Sequence, residues 1–155
     1  MFSSLTPKQK FIVKKGTIKS LKDLENKKIG TTKGSTSEIN VAKAIPSAKV
    51  LSFDDYPQAF LALQQGKVAA ITTDESILAG ILSKATKKED YELPTFDISK
   101  EPYGLGVNKQ NPELLKIVNQ TILEMEKNGK AAETFNKWFG PKSSVPLTRD
   151  FKISP

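Results

Sequence analysis

The sequence contains no cysteine and no histidine, and only one of its 24 basic residues, Arg149, is an arginine. The first two absences exclude disulfides, thiol nucleophiles, zinc sites built on Cys and His, and any triad that turns on an imidazole. Lack of cysteine is compatible with either redox compartment and does not place the protein. No apolar run approaches the ~20 residues that a membrane-spanning helix needs. The opening residues, MFSSLTPKQK, lack the apolar core of a secretory signal, so an exported form is expected to have had its leader removed. Scarcity of arginine also bears on the net charge of +7. The lysines are scattered singly or in pairs among acids, with no zinc-finger spacing and no aromatic RNA-recognition signature. A solvated lysine-rich surface is the reading, and nucleic acid is not an expected partner.

What is present points to a globular α/β chain. At 155 residues and 37% apolar content, one domain with a real core is the default. The organising stretch is Ile29-Gly-Thr-Thr-Lys-Gly-Ser-Thr-Ser-Glu38, which reads as a buried strand, a turn at Gly34, and a helix start. Ser35 and Glu38 have the spacing of a capping box. A helix start presents unpaired N–H groups and a partial positive charge, a site for a carboxylate or phosphate. Lys33, Ser35, Thr36 and Ser37 surround it. An ordinary capped αβ turn accounts for the same residues.

Strands are expected near 10–14, 28–31, 49–53, 68–72 and 103–108. Helices follow Ser35, Asp54 or Asp55, and Asp74, with Ile77, Leu78 and Ile81 of the last turned inward. Strand and helix alternate with short loops, which predicts a mainly parallel sheet flanked by helices. Right-handed crossovers would put Thr32 to Ser37 and Thr72 to Glu75 on one edge, where open α/β sheets bind ligands. Asn111-Pro112 opens a long helix, Asn128-Gly129 closes it, and a second helix runs from Lys130 to Phe139. Residues 141–155 read as an extended tail.

Six motifs then carry a resemblance: Ser20-Leu-Lys-Asp-Leu24, Lys28 to Glu38, Ala59-Phe-Leu-Ala-Leu63, Gly66 to Asp74, Glu101-Pro-Tyr-Gly-Leu-Gly-Val107 and Asn136-Lys-Trp-Phe-Gly140. In order and spacing the chain resembles the polar amino-acid-binding proteins of ABC importers, family 3 of the bacterial solute-binding proteins, which have a two-lobed, type II periplasmic-binding-protein-like fold. The Thr-Ser-Glu turn and the tail through Leu147-Thr-Arg-Asp-Phe151 are similar to the glutamate/aspartate-binding branch. The resemblance implies a hinge-crossing strand and linker over 1–27, the second lobe over 28–103, a returning strand and helices over 104–140, and a tail over 141–155. It also implies that the first lobe is largely missing, with the arginine that forks the ligand's α-carboxylate.

Position by position, Thr31 to Ser37 resembles the family's carboxylate-binding turn, so the Thr36 hydroxyl and backbone N–H would contact a carboxylate. Thr32 stands where glutamine-binding relatives have lysine. Asp74 matches the acid that pairs with the ligand's α-ammonium, and Thr73 precedes it where some relatives have histidine. Asp74 also has a bland reading as a helix-capping acid. The implied partners are glutamate, aspartate or glutamine and a membrane ABC permease, in a periplasmic or extracytoplasmic setting, with no cofactor, metal or catalytic residue.

Two alternatives stay open. One is a dehydratase-like enzyme, for which Glu75 and Lys33 are the nearby acid/base candidates. The other is a lone lobe with little or no ligand binding. Apolar residues on the C-terminal helices (Leu114, Leu115, Val118, Ile122, Phe135, Trp138) would then fold back on the sheet or be exchanged between two chains, and a homodimer is expected.

Overall fold

The computed structural model describes residues 8–153 and divides into two compact units, one of them Lys8–Lys100 and the other beginning at Glu101. The first unit contains β1 (Lys8–Lys14), β2 (Lys28–Thr32), α1 (Thr36–Ala44), β3 (Lys49–Phe53), α2 (Tyr56–Gln64), β4 (Ala70–Asp74), α3 (Glu75–Ser83), and the two-residue strands β5 (Tyr91–Glu92) and β6 (Ser99–Lys100). Strand order is β3-β2-β4-β1-β5, with β6 also on β1.

The α/β lobe expected from the alternation is present, but the sheet is mixed rather than mainly parallel. β2, β3 and β4 run parallel, whereas β1 is antiparallel to β4, β5 and β6. The reason is local. Crossover helices link β2, β3 and β4 and force them parallel, but β1 leads into a 3-10 turn at Leu21–Leu24, not a crossover helix. Its direction is set by pairing with later strands, chiefly β4, some sixty residues on. Phe11, Ile12 and Val13 are fully buried, so both faces of β1 are covered, as its unbroken apolar run suggests.

The core on one face gathers Phe11, Val13, Ile29 and Ala70 with Val41 of α1, and Ile18 and Leu24 of the loop after β1 close it. Gly30 passes between Phe53 and Ile71, where a Cβ would lie 3.1 Å and 3.2 Å from their side chains. Gly30→Ala should therefore cost about 1–2 kcal/mol through overpacking, read as a lower midpoint in urea unfolding.

Asp55 is the cap of α2 and accepts from Gln58 N at 2.8 Å, and Gly66 (φ +72°) ends the turn after that helix. In α3 the inward residues are Leu78, Ala79 and Leu82, while Ile77 is 39% exposed. The helix begins at Glu75, so its buried stripe is rotated by one residue from the expected Ile77, Leu78, Ile81 set.

The second unit holds α4 (Pro112–Lys127) and α5 (Lys130–Phe139), capped at Asn111 and separated by Gly129 at φ +81°. The strand expected over 103–108 is not formed. Tyr103 makes an isolated bridge and residues 104–108 have no regular structure. Gly104 and Gly106 offer no side chains to pack on a sheet and carry a large ordering cost. The tail is not loose: Leu147 N donates to Phe139 O at 2.9 Å, and Arg149 pairs with Glu126 of α4. Among the described residues no helix is long and apolar enough to cross a membrane.

Candidate functional site

The winding of the sheet creates the site. From β2 the chain crosses through α1 to β3 on one side, then returns through α2 past β2 to β4 on the other. The direction reverses between β2 and β4, and the crevice beyond their C-terminal ends is a topological switch point. The β2–β4 ladder pairs Ile29 with Ala70 and Gly30 with Ile71. Above those pairs stand Thr31, Thr32 and the turn on one side, and Thr72, Thr73 and Asp74 on the other. Because β1 is antiparallel, its first residues reach the same edge, with Gln9 opposite Asp74 and Lys10 opposite Thr73.

The turn on the β2 side is held by its own side chains. Gly34 takes φ +71°, and Lys33 N donates to Phe53 O at 2.9 Å. Ser35 is the N-cap of α1: its Oγ accepts from Glu38 N at 3.4 Å and donates to Thr32 O at 2.8 Å. The buried Thr31 hydroxyl lies 3.3 Å from that Oγ. Glu38 reaches back to Gly34 N at 2.9 Å and accepts from Ser52 Oγ at 2.5 Å. The Ser52 hydroxyl, then the Gly34 N–H and the Lys33 charge, hold the Glu38 carboxyl below the usual carboxylate range against a smaller opposing effect of burial.

Thr31 and Ser35 thus fix the shape of the turn, and Ser37 faces inward at 4% exposure. Lys33 and Thr36 face solvent, and Thr32 is half-buried. Ser35→Ala should cost about 1 kcal/mol, the usual loss of an N-cap side chain. Thermal unfolding followed by circular dichroism measures it.

On the β4 side Thr72 and Thr73 are buried and Asp74 is half-buried. Asp74 occupies the N-cap position of α3, yet its side chain makes no capping hydrogen bond to that helix. The neighbouring Glu75 forms an ion pair with Lys10 at 2.6 Å, both side chains largely covered.

The sequence reading missed what joins the two sides. Gln9, 1% exposed, donates from Nε2 to Ser37 O and to Thr72 Oγ1, each at 3.1 Å, and accepts from Asn40 Nδ2 at 2.9 Å. Thr72 Oγ1 in turn donates to Lys10 O at 2.6 Å. One buried glutamine therefore ties the first turn of α1 to β4, with its amide donors and acceptor all used. The available signal was period two: Gln9 shares its strand face with Phe11 and Val13. Among the described residues no group of three or more His, Cys, Asp or Glu side chains could hold a metal.

A parallel three-stranded core with an antiparallel neighbour, and a switch point between β2 and β4, match a lobe of the type II periplasmic-binding-protein kind. Over residues 2–141 the chain matches the model for bacterial extracellular solute-binding proteins, family 3, and it belongs to that family. It is 39% identical over 132 residues to the ABC transporter glutamine-binding protein GlnH of Bacillus subtilis, covering 84% of this chain and 47% of that protein. To the glutamate/aspartate import solute-binding protein of Salmonella typhimurium it is 34% identical over 148 residues, covering 91% and 48%. Among solved structures, an ancestral arginine-binding protein bound to glutamine superposes with a TM-score of 0.74 at 38% identity, covering 90% of this chain and 63% of that one. The chain spans about half the length of the curated relatives it matches.

Proposed function

We propose that this chain is a ligand-binding lobe of an amino-acid-binding protein serving an ABC importer, and that its ligand is glutamate, aspartate or glutamine. One observation carries the reading: the turn of Thr32 to Ser37 and Asp74 follow the C-terminal ends of the adjacent parallel strands β2 and β4, at the switch point of the sheet. The turn and the Thr36 hydroxyl take a ligand carboxylate at the positive end of α1, with Lys33 adding charge. Thr31 and Ser35 shape that turn and Ser37 anchors it inward. Asp74 takes the α-ammonium. Thr32 and Thr73 stand beside the ligand's side chain. The names of the relatives support the ligand class, and the family description supports a place outside the cytoplasm.

In this reading the lobe of 28–103 is joined by the strand β1 from the hinge-crossing segment 1–27, and 104–140 with the tail 141–155 follow it. Binding rather than catalysis is the role. Glu75, the nearer acid, is committed to Lys10, and Lys33 lies in solvent.

The test is a titration of glutamine, glutamate, aspartate and arginine into the isotopically labelled chain, read on the amides of residues 33–37 and 73–75 by NMR. Both charged ends of an amino acid must be paired on leaving water, and the sole arginine is engaged with Glu126. The expected result is millimolar binding confined to those amides. Shifts confined to other residues would overturn it. A homodimer completes the proposal, since Leu114, Leu115, Ile117 and Trp138 on α4 and α5 are 43–64% exposed. A monomeric mass by light scattering would remove that part alone.

A further inference from the structure

The sheet has a second edge, and lysine predominates on it. Where β2, β3 and β4 begin and β1 ends, the strands carry Lys27 and Lys28, Lys49, Lys67 and Lys14 with Lys15. Their order in space follows the sheet order β3-β2-β4-β1. Lys28 and Lys49 are register partners on adjacent parallel strands, and Lys49 N donates to Lys27 O at 2.8 Å. Ala69 N donates to Lys28 O at 2.8 Å, which brings the chain after Lys67 beside β2. Val13 pairs with Ala70, so Lys14 continues the line across β1. Strands lie about 4.8 Å apart, so the six residues line one end of the sheet, with successive ones such as Lys27 and Lys28 on alternate faces.

All six lysines are exposed, and among the described residues none of them makes an ion pair. Lysines directly opposite each other repel and lower stability, so nothing in the folding of the sheet calls for this arrangement. Four acids stand near it, Asp23, Glu25, Asp90 and Glu92, and Asp23 and Glu25 line the same cavity as Lys14 and Lys27. Asp23 accepts from the N–H groups of Lys19 and Ser20, each at 2.9 Å, and Glu92 accepts from Gly16 N at 2.8 Å. The opposite, ligand-facing edge mixes the two signs, with Glu38, Asp54, Asp55, Asp74 and Glu75 beside Lys8, Lys33 and Lys100, and its Lys10 is paired with Glu75.

We propose that this lysine row is a docking edge for an anionic phospholipid surface, which holds the lobe at a membrane while the ligand edge stays clear. Charge complementarity carries the assignment: a line of unpaired point charges suits a plane of mobile anionic headgroups. Nucleic acid fits less well. The row contains no arginine fork, and no exposed aromatic stands between the lysines to stack on bases. The family's extracellular description also puts bilayer headgroups within reach.

The test is flotation of the full chain with phosphatidylcholine vesicles, with and without phosphatidylglycerol. Binding should require phosphatidylglycerol and fall as salt shortens the Debye length below about 8 Å. The triple variant Lys28→Gln/Lys49→Gln/Lys67→Gln should lose at least about tenfold in affinity. Its melting temperature should hold or rise, because the Lys28–Lys49 repulsion is gone. The corresponding Lys→Arg triple keeps the charge and should bind like the parent. A control of equal charge change on the C-terminal helices, Lys109→Gln/Lys116→Gln/Lys137→Gln, should bind nearly as the parent does. Equal losses in the two glutamine triples would overturn the proposal, as would equal binding to pure phosphatidylcholine. Preference for polyuridylate over phosphatidylglycerol vesicles would overturn it too. If the glutamine triple fails to fold, Lys14→Gln/Lys15→Gln takes its place, with unchanged binding again refuting the edge.

Discussion

Asp74→Ala should weaken amino-acid binding by about 2–5 kcal/mol, the cost of leaving one member of a desolvated charge pair unmatched. Asp74 ends β4 at the switch point, half-buried, on a backbone pinned opposite the fully satisfied Gln9. Such a carboxylate is held in place before a ligand arrives, so little ordering is spent on binding. The same NMR titration reads the effect, since a loss of this size turns millimolar binding into none. Asp74→Asn separates recognition of an ammonium from a place at the helix start, where the Asp74 side chain makes no capping hydrogen bond. An asparagine caps a helix about as well as an aspartate, but it carries no charge to match an ammonium. If capping were the whole role, Asn would behave as the parent in both stability and binding. If recognition is the role, Asn keeps the melting temperature and loses the ligand. Unchanged binding in the alanine variant would return Asp74 to the helix.

Arg149→Ala should destabilise the C-terminal unit by about 2–3 kcal/mol, as expected for a charge-assisted pair that is largely but not wholly covered. The guanidinium forks the Glu126 carboxylate through both terminal nitrogens, at 3.2 Å from Nη1 and closer from Nη2, with the side chains 16% and 18% exposed. Ile153 N donates to the same carboxylate at 3.2 Å. The Arg149 guanidinium also lies 4.5 Å from the centre of the Phe151 ring, which meets Phe135 edge-on at 5.9 Å. Removing the arginine strands a carboxylate and unlocks the tail from α4 and α5 together.

The pH dependence has a definite sign. The Arg149 hydrogen bonds, with help from Ile153 N–H and against the opposing effect of burial, hold the Glu126 carboxyl below its ordinary 4.5. A carboxylate lowered in the folded state contributes stability that is complete above its unfolded value and is lost as pH falls through the folded one. Acid should therefore loosen the parent unit as pH falls below the ordinary 4.5, and Arg149→Ala should flatten that dependence. Trp138, the only tryptophan, lies in α5 and reports the transition by fluorescence. A variant with unchanged melting and an unchanged acid profile would show that the pair contributes nothing.

Much of this was legible in the residues because the interactions concerned are local. The capped turn at Ser35, the Asp55 and Asn111 caps, the stops at Gly66 and Gly129, and the bounds of α5 all rest on contacts within a few positions. Hydrogen bonds between residues three or four apart are written into spacing. The two arms of the candidate site could be placed on one edge for a similar reason, since a right-handed crossover fixes the direction of the next strand. The relation between the lysines of the far edge was invisible, because lysines separated by twenty residues read as scattered until the strands are set side by side.

By itself, then, the sequence determined the α/β class, the family motifs, the helix ends, and the presence of Thr32 to Ser37 and Asp74 at strand ends. Only the tertiary structure decided the antiparallel entry of β1, which no crossover helix dictates, and the burial of Gln9 between Ser37 and Thr72. It alone decided which hydroxyls build the turn and which face solvent, because that depends on packing around α1. It also fixed the use of Arg149, which reads as a stray charge in a tail but closes on Glu126 of α4, 23 positions away. In each case the partner is distant in sequence, and no period or spacing encodes a contact that forms only when the chain has closed a long loop.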